Sequence, residues 1–186
     1  MAIILASQSP RRRELMGLFG LPFTVQVADI DETMDPSLSP AQEVARVSAM
    51  KARAVPCGPE DTVIAADTIV VCQNQVLGKP RDEADAERML QMLSGRTHQV
   101  MTGLTVLRGD ECITHTEITD IQFRELTKQE ILDYIRTKDP MDKAGSYGIQ
   151  SGAALFVEGI RGDYYNVVGL PVCRLGQILK TLEESR

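Results

Sequence analysis

The chain has 186 residues, 43% of them hydrophobic and 25% charged, which suits a globular domain large enough to bury a core. A formal net charge of −6 with only 4% aromatic residues argues against a nucleic-acid-binding module, which needs a basic footprint and stacking rings. No apolar run is long enough to span a bilayer, no signal-peptide core opens the chain, and four scattered cysteines (Cys57, Cys72, Cys112, Cys173) predict reduced thiols in the cytoplasm.

A short apolar run, Ile3 to Ala6, predicts the first strand and stops at small polar residues. Ser9 then suits a helix N-cap and Pro10 the first helical position, with Gly20 as the stop. Leu15, Met16, Leu18 and Phe19 fall on one helical face. Arg11, Arg12 and Arg13 occupy the first turn, where the helix dipole disfavours cations. Two readings fit: a phosphate cradle built with Ser7 and Ser9, or pairing with surface carboxylates. Phe23 to Val27 alternates as a strand and runs into the acidic cluster Asp29-Ile30-Asp31-Glu32. Ser39-Pro40-Ala41-Gln42 matches a capping box, opening a helix to about Ala54 that buries Val44, Val47 and Ala45 and carries Lys51.

Thr62 to Cys72 (TVIAADTIVVC) predicts a central strand covered on both faces. Asp67 interrupts it, followed by Thr68. A carboxylate in such a run needs a partner, a hydrogen bond or a cation, and two histidines leave carboxylates as the best donors for a hard metal. After a turn at Gln73-Asn74-Gln75, Lys79 stands between Gly78 and Pro80. Asp82 caps a helix that buries Ala86, Met89, Leu90 and Leu93, and Ser94-Gly95 ends it. His98 to Leu107 and Ile113 to Phe123 read as a hairpin, with His98 in a structural or surface role. Thr127-Lys128-Gln129-Glu130 is a second capping box. The segment Asp139 to Gly152 reads as a functional loop: Gly145 and Gly148 admit a close ligand, Lys143 can meet phosphate and Gln150 can read a base edge. Tyr147 reads as core filler. A strand at Ala154 to Val157, a loop at Gly162 to Pro171 and an amphipathic helix from Val172 to Leu182 complete the chain.

Six ordered stretches, SQSPRRREL, AADTIVV, LGKPRDEADAERML, LSGRTHQVMTG, DKAGSYGIQ and NVVGLP, resemble the Maf family of nucleoside triphosphate pyrophosphatases over almost the whole chain. The ADT triplet and the DKAGSYGIQ loop resemble the branch acting on dTTP and UTP. The resemblance implies a single domain over 1–186, an α/β fold with an elongated, mixed, curved sheet flanked by helices, and two lobes around a central cleft. It implies hydrolysis to the nucleoside monophosphate and pyrophosphate, a divalent cation (Mg²⁺ or Mn²⁺), nucleoside triphosphates as small-molecule partners and a homodimer without nucleic-acid or membrane partners. By motif, Asp67 matches the proton acceptor, and Arg11, Thr68 and Gln150 match base-specificity positions. Ser7, Arg12, Glu32, Lys51, Lys79 and Lys143 match the polar lining. Asp67 and Glu32 are the implied metal ligands, with Asp29 and Asp31 as neighbouring carboxylates. Whether Asp67 is the base or mainly a ligand stays open. Gln8 and Arg13 depart from the usual family residues. A non-catalytic nucleotide-binding regulator of cell division is the alternative; the buried carboxylate weighs toward an enzyme.

Overall fold

A computed structural model describes residues 1–27 and 29–184. Its seven-stranded sheet is built around β3 (Thr62–Cys72), a central strand buried along its length except at Asp67 and Thr68. β1 (Ile3–Leu5) pairs in parallel with both β2 (Phe23–Val25) and β3, so that Ile4 lies opposite Thr24 and Val63. β4 (Gln75–Leu77) folds back antiparallel on the end of β3 through a turn with positive φ at Gln73 and Asn74, which suits a tight hairpin. β5 (Thr97–Arg108), β6 (Glu111–Phe123) and β7 (Val157–Arg161) extend the order to β2-β1-β3-β5-β6-β7.

The helices begin where the local chemistry says they should. Ser9 caps α1 (Pro10–Gly17), Ser39 and Gln42 close a reciprocal capping box on α2 (Pro40–Ala54), and Asp82 caps α3 (Glu83–Leu93). Thr127 and Glu130 make the same box on α4 (Lys128–Arg136). Each such cap stabilises its helix by about 1 kcal/mol. α5 (Tyr164–Val168) and α6 (Val172–Glu184) follow.

Five expectations change. α1 stops at Gly17 because Leu18 and Phe19 donate to Leu15 and Met16 carbonyls in a tighter turn, so Leu18 is exposed rather than on the buried face. β2 ends at Val25. On α2, Ala45 is only half-buried, and the buried positions besides Val44 and Val47 are Glu43, Ser48 and Ala52. Residues Gly152–Phe156 form a 3₁₀ turn, with the strand starting at Val157, and the loop after Gly162 contains α5, whose start is held by Tyr165 N–H donating to Asp163 Oδ1 at 2.7 Å.

The chain divides into two compact units: Met1–Asp67 with Thr102–Glu117 and Gly169–Arg186, and Thr68–Met101 with Ile118–Val168. In the first, Ile4, Ala6, Ala52, Val55, Val63 and Ala65 pack together, with Leu107 against them. A Cβ at Gly103 would stand 2.1 Å from the Val44 carbonyl oxygen, so glycine there lets α2 approach β5 closely. In the second, His98, Phe123, Tyr147, Phe156 and Tyr134 make a chain of edge-to-face contacts, 4.8 to 6.0 Å between centroids. Buried Asn166 donates to Val100 O and Thr119 Oγ1, tying α5 to β5 and β6.

Candidate active site

In the first unit, the chain leaves β1 at Leu5 and reaches Ser7, and α1 begins three residues later. Ser9 N–H donates to Ser7 Oγ at 3.2 Å, which fixes the link between strand and helix. Arg12 turns back over it: Nε donates to the Gly169 carbonyl at 2.7 Å and Nη1 to Ser7 Oγ at 3.3 Å. Burial pushes the Arg12 guanidinium below its ordinary value. The charge of Asp67 opposes that shift, Arg11 reinforces it and Glu32 opposes it. Arg12 remains a cation. Arg11 and Arg13 make no carboxylate pair among the described residues, so the surface-pairing reading of the arginine run does not hold for them.

The predicted carboxylate and lysine come together. Asp67 sits where the buried run of β3 gives way, its side chain 16% exposed, and Lys51 Nζ on α2 donates to Oδ1 at 2.7 Å. The same ammonium lies 3.1 Å from Glu32 Oε1. Asp67 and Glu32 therefore converge on one cation. Asp67 is open enough to meet solvent and packed enough that removing its partner would leave a partly desolvated charge uncompensated. Of the acidic cluster, Asp31 is turned to its own loop, where Thr33 N–H and hydroxyl bond it and hold its carboxyl low, and it does not reach Lys51. Buried Glu43 binds Arg46, whose Nη2 donates to Thr33 O at 2.8 Å, so α2 braces the segment that leads from Glu32.

In the second unit, Thr68 is half-buried on β3, Lys79 is exposed beyond β4, and Gln150 is exposed. Gly145 N–H donates to Gly78 O at 3.0 Å, placing the Lys79 turn against the glycine-rich loop. Lys143 is mostly buried, and its ammonium contacts Asp139 O, Asp139 Oδ1 and Asp142 Oδ1 at 2.7, 3.0 and 2.8 Å. Gly145 has φ +69°, and a Cβ there would collide with Val70, so this position requires glycine. Tyr147 is core, as expected, and His98 is structural: its Nε2 is 2.8 Å from Tyr147 Oη.

Two participants escaped the sequence. The Gly169 carbonyl that orients Arg12 belongs to a motif, but nothing in a glycine signals an acceptor. Asp139 organises Lys143, and its only trace was a carboxylate four residues before a lysine.

Comparison with known proteins gives a consistent answer. A family model described as Maf-like protein matches residues 2–182. A Moorella thermoacetica protein named dTTP/UTP pyrophosphatase is 52% identical over 181 residues, covering 95% of this chain and 93% of the relative. A Bacillus cereus protein of the same name is 50% identical over 179 residues, covering 96% and 94%. Among solved structures, a HAM1 protein from Coxiella burnetii superposes with a TM-score of 0.57 at 17% identity, covering 97% of this chain and all of that one, a likeness of fold.

Proposed function

The chain belongs to the Maf-like family, and from that premise we propose that it hydrolyses dTTP and UTP to the nucleoside monophosphate and pyrophosphate. The observation that carries the chemistry is the convergence of Asp67 and Glu32 on the Lys51 ammonium. Cleavage between the α- and β-phosphates needs neutralised phosphate charge, a positioned water and a group to take its proton. Asp67 is the proton acceptor for water attacking the α-phosphorus, its carboxylate positioned by the contact with Lys51. Ser7, Arg11, Arg12 and Lys51 supply donors and positive charge from the first unit. Fixing Arg12 on Gly169 and Ser7 before substrate arrives lowers the reorganisation its charge must undergo. In the second unit, Lys79 and Lys143 serve as phosphate-binding cations, and Thr68 and Gln150 read the pyrimidine.

The donor set fits a hard divalent cation. Two carboxylates already face one point charge, and Mg²⁺ or Mn²⁺ is commonly held by one or two carboxylates plus substrate phosphates. Asp67 and Glu32 would hold it, and when bound it would offset phosphate charge and acidify a coordinated water. The same reading places the enzyme in the cytoplasm as a homodimer. Four cysteines outside any disulfide support the compartment, and the family resemblance supports the dimer.

The test is Asp67→Asn, which keeps shape and removes the charge. Turnover of dTTP should fall at least about a hundredfold while nucleotide binding, followed by calorimetry, stays within about threefold. Retained turnover would remove Asp67 from both its roles.

A further inference from the structure

We propose that Asp139 is a positioning residue that clamps both ends of the loop from Lys143 to Ser151 and so sets where Lys143 and Gln150 stand. The proposal rests on the nucleotide reading for what the loop contacts, and on the second unit alone for its geometry.

The carboxylate of Asp139 uses both oxygens inward. Oδ1 accepts from Lys143 Nζ at 3.0 Å, at the front of the loop. Oδ2 accepts from Tyr134 Oη on α4 at 2.5 Å and from the Ser151 hydroxyl, at the back of the loop. Tyr134 Oη in turn accepts from Gly148 N–H at 3.0 Å, so one aspartate and one tyrosine reach the beginning, middle and end of the same nine residues. Ser151 Oγ also lies 2.9 Å from Gly148 O, closing the turn that carries Gln150. Burial alone would raise the Asp139 carboxyl. The bonds from Ser151, Tyr134 and Lys143 outweigh it and hold the group below its ordinary value, so it is a carboxylate at neutral pH.

The arrangement also says which contact yields to substrate. An ammonium has three protons, and the Lys143 contacts are two with Asp139 and one with Asp142. The Asp142 side chain is 72% exposed, and such a pair contributes little, so a phosphate oxygen can replace it while Asp139 keeps the lysine in place. A loop fixed this way meets its ligand without first being ordered. Gln150 itself is exposed, and it sits in the turn that this scaffold closes.

The experiment compares the full chain with Asp139→Asn, with Ser151→Ala as the milder lesion and Asp133→Asn as a charge control on α4. Two readouts are taken: amide hydrogen exchange across residues 143–152, and the ratio of kcat/KM for dTTP to that for dCTP. The expectation for Asp139→Asn is exchange faster by about tenfold across the loop and a selectivity ratio lower by about tenfold, carried mainly by KM. Ser151→Ala should move both in the same direction by less, and Asp133→Asn neither. Unchanged exchange would overturn the clamp whatever the activity. Faster exchange with unchanged selectivity would overturn the positioning role. A wild-type protein inert toward every triphosphate would sink the pyrophosphatase reading and the substrate role with it, while the exchange data still decide whether Asp139 anchors the loop.

Discussion

Lys51 Nζ stands 2.7 Å from Asp67 Oδ1, joining the last third of α2 to the middle of the central strand across sixteen residues of sequence. Because the same ammonium also lies 3.1 Å from Glu32, this lysine keeps two carboxylates close together that would otherwise repel. Lys51→Met should therefore cut kcat at least about a hundredfold, and Lys51→Arg should not restore it, since a planar fork does not replace a point charge between two carboxylates. Without nucleotide, Lys51→Met should bind Mn²⁺ more tightly than the wild type, as measured by electron paramagnetic resonance. Unchanged Mn²⁺ affinity would show that Asp67 and Glu32 are not a cation-binding pair.

Gly103 is the point where β5 meets the backbone of α2, with no room for a methyl group. Gly103→Ala should destabilise the protein by about 3 kcal/mol, since the obstacle is a carbonyl and not a side chain that can swing away. It should also lower turnover, because α2 carries Lys51. Chemical denaturation with parallel kinetics checks both. Wild-type stability would mean that α2 can retreat freely.

His98 links buried side chains to acid sensitivity. Burial pushes its imidazole down to about 4, outweighing a hydrogen bond with the Arg96 backbone that acts the other way. The unfolded chain takes up that proton near 6.5, so below this pH the unfolded state binds more protons. The stability is fully present above pH 6.5 and declines as pH falls toward 4, by roughly 3 kcal/mol in total. Denaturation of the wild type and His98→Gln at pH 7 and pH 4.5 isolates this contribution. The wild type should lose roughly 2–3 kcal/mol more than the variant between the two pH values. Equal losses would mean that His98 titrates normally in the fold.

What was legible in the chain was what is decided locally. Ser39 with Gln42, Asp82 and Thr127 with Glu130 announce helix starts because capping involves residues three apart, and Thr62 to Cys72 is readable because a strand covered on both faces has no polar alternation. The end of α1 and the helix at Tyr164–Val168 were not, since the first depends on a turn tightening and the second on five residues with no periodicity to reveal them. Asp67 stood out as a carboxylate in an apolar strand, but its pairing with Lys51 was not legible, because the two stand on different elements sixteen residues apart. Asp139 was hidden for the opposite reason: an aspartate beside a proline reads as a solvated turn, and its partners Tyr134 and Ser151 lie on both sides of it in sequence.

The most direct measurement is product analysis of dTTP, UTP, dCTP, purine triphosphates and 7-methyl-GTP, each with Mg²⁺, with Mn²⁺ and with chelator. The proposed reaction predicts metal-dependent release of nucleoside monophosphate and pyrophosphate in equal amounts, fastest with dTTP and UTP. Release of nucleoside diphosphate and inorganic phosphate, or tight nucleotide binding without turnover, would contradict it.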